Sequence, residues 1–269
     1  MKETHGVSAH DAGSADARRR LSLEILLVLG LSLGASAVYS IVSITNRLTR
    51  STSLADQTAT LNGSLSDRPT FDLIYQLLAL FFDLVPVALC AFLLWQSSAR
   101  PLGRLGLDVT RPLRDLRAGT LLAVAIGAPG IGLYVVGRAL GITVAVNAAP
   151  EHWRWWTVPV LVLSAIRAGV QEEVIVIGYL YARLGDLGWG RWQILVTSAL
   201  LRGSYHLYQG IGPFVGNVVM GVVFGLVYQR FGRTLPLVIA HSIIDIVSFV
   251  GYPLAVGLWP ELFSAPARS

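Results

Sequence analysis

The sequence contains few charged residues: only 14% are Asp, Glu, Lys or Arg, against about 25% in an ordinary soluble domain. Hydrophobic residues make up 54% of the 269 positions, and the 27 glycines add about another 10%. This composition excludes an ordinary soluble globule and a disordered chain. It predicts an all-α fold, that of a polytopic helical membrane protein.

Cysteine is almost absent, because the chain contains only Cys90, which lies within an apolar run. Neither an intramolecular disulfide nor a cysteine-based zinc site can therefore form. The 21 basic residues outnumber the 16 acidic ones and give a formal net charge of +5. Since the basic residues lie between apolar runs, we interpret them as determinants of membrane topology, and we expect no nucleic-acid partner.

Seven apolar runs approach the length needed to cross a hydrocarbon core of ~30 Å, and six or eight spans remain open. We predict a cytoplasmic N-terminal segment at 1–20, a transmembrane helical domain at 21–258 and a C-terminal tail at 259–269. The first run, 21–44, has the length of an uncleaved helix, which we favour over a cleaved signal peptide. The later runs cover about 71–95, 119–146, 155–182, 192–208, 213–228 and 235–258.

The distribution of basic residues predicts the orientation of the chain. If the N-terminus is cytoplasmic, the inside segments hold roughly twice as many basic residues as the outside segments. We therefore predict a multi-pass protein of a bacterial-type cell (inner) membrane, with the N-terminus inside and, for seven spans, the C-terminus outside. The lipid bilayer is thus a predicted partner, whereas the oligomeric state stays open.

Ionisable residues inside the bilayer are the most informative feature, because each costs at least ~2.5–3.5 kcal/mol at mid-depth unless it is paired or solvated. At 1.5 Å of rise per residue, the ionisable residues of the fourth, fifth and seventh runs lie at similar depths near mid-membrane. We therefore predict one shared functional site. Its candidate residues are Glu172, Glu173, His206, His241 and Asp245.

Helical spacing defines further contacts within this candidate site. His241 and Asp245 are four residues apart, so they share one face of a helix. Arg202 lies one turn before His206, and its guanidinium matches a carboxylate in two-pronged geometry. We predict a supporting ion pair from Arg202 to Glu172 or Glu173.

Other polar or small residues within the spans have simpler interpretations. Asp83 is expected to be a satisfied interhelical polar group or a contact for Arg167. Tyr205 is expected to pack or to anchor at the membrane interface. Gly221 and Gly225 have the spacing of small residues that allow close helix contact.

Three short motifs resemble those of the CPBP intramembrane endopeptidases, over about residues 155–250. This family groups the Ras-converting type of CAAX prenyl protease with bacterial bacteriocin-processing and self-immunity (Abi-type) proteins. Its first motif, a Glu-Glu pair followed after three residues by Arg, resembles Gln171–Leu180, which reads QEEVIVIGYL. The second, Phe and three residues later His, resembles Arg202–His206 at the histidine. The third, His and three residues later Asn or Asp, matches His241–Asp245.

Two positions depart from the family pattern. The arginine of the first motif is Ile177 here, and the phenylalanine of the second is Arg202. We infer that the cation has changed position, so that Arg202 supplies the charge that Ile177 cannot. If the charge were not replaced in this way, the site would be altered or inactive.

The resemblance implies hydrolysis of a peptide bond within the membrane, in a peptide or membrane-protein substrate. By the family pattern, Glu172 and His206 would activate a water molecule, with Glu173 beside them. His241 would donate a hydrogen bond to the oxyanion, and Asp245 would orient that imidazole.

The cofactor requirement is left open at this stage. The family is often described as metalloprotease-like, and Glu172, His206 and His241 are a conceivable zinc set with an open position for water. The sequence has no His-Glu-x-x-His helix, which would be the strongest zinc signal.

Two alternative functions also fit the residues. Buried Glu, His and Asp chains serve proton-coupled transporters, although these usually show repeat symmetry, which the sequence lacks. A non-catalytic immunity-type or partner-binding CPBP protein is the other alternative, and the missing motif-one arginine is its best support.

Overall fold

The computed structural model describes residues 9–97 and 101–258. Within these ranges most of the chain is helical and only two three-residue strands occur, which confirms the predicted all-α polytopic membrane architecture. The first eight residues of the predicted N-terminal segment and the predicted tail at 259–269 lie outside the described residues.

Twelve α-helices follow one another in the described part of the chain. They are α1 Ala9–Gly30, α2 Leu33–Leu48, α3 Pro69–Asp83, α4 Val85–Ser97, α5 Pro101–Arg104, α6 Pro112–Ala139, α7 Thr157–Glu172, α8 Leu180–Asp186, α9 Arg191–Ser204, α10 Ile211–Phe231, α11 Leu235–Ile246 and α12 Tyr252–Leu258. Two π-helical segments, Glu173–Tyr179 and Val247–Gly251, connect α7 to α8 and α11 to α12.

Four helical stretches in the described residues are long and apolar enough to cross a membrane, by length and composition: Pro69–Trp95, Pro112–Ala139, Ile211–Phe231 and Leu235–Leu254. A fifth results if the bent pair formed by α1 and α2 is one span. The short fifth run of the sequence is the 14-residue α9. The number of seven spans therefore stays a prediction.

The first apolar run is not the single straight helix that the sequence predicts. It bends by 57° between α1 and α2, and α1 already begins at Ala9, well before the apolar residues. The Ser32 hydroxyl at the bend donates to the Val28 carbonyl oxygen at 2.6 Å. Serine hydroxyls that bond back to the preceding turn in this way often bend helices.

The connecting segments collect at two opposite ends of the helices. One end, here called the first face, joins α1, α5, α8 and the loop before α11, where Arg104 pairs with Asp186 and Arg233 with Asp108. The other end, the second face, holds two short parallel strands, β1 Thr58–Thr60 and β2 Ala145–Asn147. The segments predicted to be inside thus share one face, while the choice of that face as cytoplasmic remains a prediction.

The core between the site and the first face is apolar and tightly packed. Val174 to Ile177 of the first π-helical segment are fully buried, together with Leu105, Phe224 and Leu237. A side chain at Gly221 would collide with Ala199 of α9, and one at Gly225 with Leu195 of the same helix. The predicted close helix contact at these two glycines is therefore confirmed.

The N-terminal helix is tied to this core by a polar cluster. Glu24 of α1 accepts hydrogen bonds from the Tyr179 hydroxyl at 3.0 Å and from Arg183 Nε at 2.7 Å. Arg183 also donates to the Leu93 carbonyl oxygen of α4 at 2.9 Å. These contacts fix the end of the π-helical segment against α1 and α4.

Candidate active site

The change from α-helix to π-helix occurs at the glutamate pair. Glu172 ends α7 and Glu173 begins the π-helical segment, so the helix widens directly after the pair. π-Helical turns are uncommon and occur frequently at functional sites. Both glutamates are buried, and their carboxylates meet residues of α9 and α11.

Arg202 of α9 forms the ion pair that the sequence predicts. Its Nη2 donates to Glu173 Oε1 at 2.6 Å, and its Nη1 lies 3.8 Å from Glu172 Oε2. The arginine side chain is completely buried, a position tolerated only because it faces carboxylates. Ile177, at the position of the family's arginine, lies instead in the apolar core.

His241 of α11 joins the same pair from the other side. Its Nδ1 is 2.7 Å from Glu173 Oε1, and because a carboxylate only accepts, Nδ1 carries the proton. Its Nε2 then faces Asp245 Oδ2 at 3.6 Å and Glu172 Oε2 at 4.0 Å. The spacing of four residues between His241 and Asp245 therefore brings the two side chains together, as predicted.

Tyr205 is a site residue that the sequence reasoning missed. Its hydroxyl donates to Glu172 Oε2 at 2.7 Å, and the side chain is buried. The expectation that it only packs or anchors at the membrane interface was therefore wrong. A usable signal existed, because Tyr205 lies three residues after Arg202 and so shares its face of the helix.

His206 lies at the rim of the cluster, half-buried and packed against the Tyr205 ring at 4.8 Å between centroids. Its Nδ1 is 3.1 Å from the Arg202 carbonyl oxygen, which can only accept, so Nδ1 is the donor and Nε2 is free to accept. Among the described residues, no hydrogen bond or ion pair joins His206 to Glu172. The direct pairing of these two side chains is thus not present.

The predicted zinc set is not assembled. Within residues 9–97 and 101–258, no three His, Cys, Asp or Glu side chains are arranged to hold a metal ion. Glu173 holds Nδ1 of His241, and the Arg202 cation lies beside Glu172. In the described structure Glu172, His206 and His241 are thus not gathered as metal ligands. The chemistry proposed below is derived from the side chains alone.

Two further charged residues within the helices, Arg167 and Asp83, form a pair with each other. Arg167 of α7 contacts Asp83 of α3, with 3.5 Å between Nε and Oδ2, as the sequence predicts. Arg167 Nη1 also donates to Gln171 Oε1 at 3.1 Å, and Gln171 directly precedes the glutamate pair.

The two neighbouring carboxylates have unequal surroundings. Glu173 is fully buried, and its Oε1 accepts from both Arg202 and His241. The Glu172 side chain is 12% exposed, and in the described structure only Tyr205 donates a hydrogen bond to it. Both donors bind Oε1 of Glu173, and its Oε2 is buried without a partner in the described structure. Glu173 is thus fixed and shut off from solvent, whereas the partly exposed Glu172 is the carboxylate that a further ligand can reach.

Fold and site together define a class: a polytopic helical membrane protein with a buried carboxylate–histidine–arginine cluster suited to acid–base chemistry. Residues 154–247 match the family described as Rce1-like, type II CAAX prenyl endopeptidase Rce1-like. Residues 154–247 are thus similar to a family of proteases, which confirms the resemblance found in the motifs. The match includes all six predicted site residues. No curated protein and no solved structure matches the chain.

Proposed function

We propose that this protein is a CAAX-type intramembrane endopeptidase, which hydrolyses a peptide bond of a membrane-associated polypeptide. The observation that carries the proposal is the division between the two glutamates. Arg202 and His241 both hold the fully buried Glu173, whereas the 12% exposed Glu172 accepts one hydrogen bond, from Tyr205. A fixed carboxylate and a free one in a single buried site are suited to positioning and proton transfer, respectively.

Glu172 is the proposed general base. The Tyr205 hydroxyl orients its carboxylate, and Oε1 takes a proton from the attacking water. His206 Nε2, which is free to accept, is the second acceptor for that water molecule. In this arrangement Glu172 and His206 act through the shared water, which explains why they need no direct contact.

His241 and Asp245 are the proposed oxyanion-stabilising pair. With both ring nitrogens protonated, His241 keeps its Nδ1 hydrogen bond to Glu173 and directs Nε2–H towards the space beside Glu172 and Asp245. A donor fixed in advance at this point stabilises the negative charge that develops on the carbonyl oxygen. Asp245 orients the imidazole, because a carboxylate has no proton to donate to an oxyanion.

The distribution of basic residues supports a location in a bacterial-type inner membrane with the N-terminus cytoplasmic. The segments richer in arginine share the first face, where Arg18 donates to the Leu187 carbonyl oxygen and Arg104 pairs with Asp186. In this orientation the first face is the cytoplasmic one.

The first prediction tests Glu172. In purified protein reconstituted into liposomes, Glu172→Gln should lower the rate of peptide cleavage by at least about 10²-fold, because a general base typically contributes 10²–10⁴-fold. Three probes are needed: a farnesylated CAAX peptide, the same peptide without its lipid, and a hydrophobic membrane-spanning peptide. Cleavage products are identified by mass spectrometry.

Asp186→Asn is the matched control, because it makes the same acid-to-amide change at a first-face ion pair away from the site. It should cleave at the wild-type rate. Equal cleavage by wild type and Glu172→Gln would refute the role of Glu172. Folded wild-type protein that cleaves none of the three probes would contradict the proposed activity on these substrate classes.

A further inference from the structure

The candidate site is closed on the side of the first face. Leu105, Ile177, Phe224 and Leu237 lie between the cluster and that face, and all four are 0% exposed. Because protein interiors are close-packed, these buried side chains leave no channel for water or for a polypeptide. A substrate that reaches Glu172 must therefore arrive from another direction.

Exposure rises in the opposite direction, towards the second face. The Glu173 side chain is 0% exposed, Glu172 12% and Asp245 18%. Beyond them, the ion-paired side chains of Arg167 and Asp83 are 25% and 47% exposed. The exposed fraction of these five side chains thus increases from the buried cluster to the Arg167–Asp83 pair, and we call this row of side chains the polar path.

A cavity of about 360 Å³ lies at the open end of this path. At ~30 Å³ for each water molecule, its volume corresponds to about a dozen waters, and it lies within the size range of ligand sites. It is bounded by α3, by α7 and by the second-face loop 60–65. Its lining includes the polar side chains Asn62, Ser64, Gln76, Asp83, Ser164 and Arg167.

Arg167 connects the cavity to the candidate site. It lines the cavity, and its Nη1 donates to Gln171, the residue before Glu172. Arg167 lies five positions before Glu172, a distance of about 7.5 Å along the helix axis.

We propose that this cavity is the binding site and access route for an extended polypeptide segment, so that the candidate site opens to the second face. The Arg167–Asp83 ion pair closes the inner end of the route and must separate for the segment to reach Glu172. That the segment is a substrate rests on the proposed function.

A polypeptide fits this lining better than a lipid chain does. An extended segment exposes backbone N–H and C=O groups, which must all find partners at membrane depth. The hydroxyls of Ser64 and Ser164 can donate and accept, as such a backbone requires. The amide nitrogens of Asn62 and Gln76 already donate to the Ala148 and Gly63 carbonyl oxygens, so these two side chains offer their oxygens as acceptors. A hydrocarbon chain would offer no donor to these amide oxygens and no partner to the two hydroxyls.

The test uses thiol labelling, because the sequence contains a single cysteine, Cys90, which is fully buried. The parent protein therefore gives the labelling baseline. Asp245→Cys is the reporter in the site, and half-buried His206→Cys is a second reporter in case the first variant does not fold. A charged, membrane-impermeant methanethiosulfonate is added to one side of oriented proteoliposomes. Ser51→Cys and the exposed Val109→Cys identify the second and first faces, respectively.

We expect the reporters to be labelled from the side that labels Ser51→Cys. Adding Ala79→Trp, which fills the cavity from α3, should slow this labelling at least about tenfold. Leu78→Trp is the matched control, since Leu78 is exposed on the same helix and does not line the cavity. It should leave the labelling rate unchanged.

Three outcomes would overturn the route: labelling from the side of Val109→Cys, labelling that Ala79→Trp does not slow, or a lipid-filled cavity, seen as no labelling from either side. Labelling requires no catalysis. The expected labelling pattern in a protein that cleaves no peptide would therefore refute the proposed enzyme and keep the route. Peptide cleavage together with labelling from the first face would support the proposed enzyme and refute the route.

Discussion

Two arginines of this protein each face two carboxylates, in opposite surroundings. Arg202 lies in the membrane core between Glu172 and Glu173, with no exposed surface. Arg233 lies at the first face between Asp108 and Asp115, where its side chain is 14% exposed and that of Asp108 is 39% exposed.

The difference between these clusters indicates different purposes. Asp108 and Asp115 are both contacted by Arg233 within hydrogen-bonding distance, so its charge is divided between them. Arg202 binds Glu173 closely and leaves Glu172 at 3.8 Å. A cluster in which each acid is held closely joins loops, whereas one that leaves an acid free retains a group for chemistry.

The largest expected effect comes from removing the buried cation. Arg202→Gln should lower the free energy of unfolding by about 3–5 kcal/mol, because it leaves an uncompensated carboxylate in the core. It should also abolish peptide cleavage, since Glu173 loses one of its two donors. Unfolding of detergent-solubilised protein, followed by tryptophan fluorescence, measures the first effect. Wild-type stability in this variant would show that the pair is dispensable.

The same substitution at the first face should destabilise the protein less. Arg233→Gln should lower the free energy of unfolding by about 1–3 kcal/mol, because it leaves the buried carboxylate of Asp115 without its cation. The effect should be smaller than at Arg202, since the exposed carboxylate of Asp108 can be solvated by water. Per molecule of folded protein, peptide cleavage should continue at the wild-type rate. A loss of activity as complete as in Arg202→Gln would break the distinction between the two clusters.

Tyr205→Phe should lower kcat and leave KM nearly unchanged. The change removes one hydrogen bond to a carboxylate, an interaction of about 1.5 kcal/mol, which corresponds to roughly a tenfold loss in kcat. KM should change little, because the ring still packs beside His206. Steady-state kinetics on any cleaved peptide measures this division, and a change confined to KM would place Tyr205 in substrate binding instead.

The smallest expected effect concerns acid pH. Hydrogen bonds from Arg233 and Thr110 hold the pKa of Asp108 below its ordinary value. Its contribution to stability is therefore present above the unfolded-state pKa of about 3.9, and it is lost as the pH falls through the lower folded-state pKa. The stability difference between wild type and Asp108→Asn should thus be constant from pH 8 to 5 and shrink below about pH 4. A difference that shrinks already between pH 7 and 5 would contradict this assignment.

Regular helical spacing explains why much of the site could be predicted from the sequence. The pairing of His241 with Asp245 and the close approach at Gly221 and Gly225 depend only on which residues share a helix face. The contact of Arg202 with a glutamate followed from charge, because a buried cation needs an anion wherever the fold provides one.

The other features depend on distances between elements that no local pattern contains. The choice of Glu172 as the acceptor for Tyr205 depends on how α9 faces the widened turn at the glutamate pair. The second-face cavity needs α3 beside α7, although the chain separates these helices by more than 70 residues. The bend at Ser32 depends on one local hydroxyl that apolar periodicity does not report.

The π-helical segment Glu173–Tyr179 has a consequence for how this protein tolerates insertions and deletions. The residues before it face the reaction site, while Tyr179 and Arg183 after it hold Glu24 of α1. In an α-helix each residue turns the chain by about 100°, so deleting one residue here would rotate Tyr179 and Arg183 away from Glu24. The wide turn thus sets the rotational phase between two halves of one helix. Its length should therefore be constrained even at positions where its apolar side chains can be exchanged.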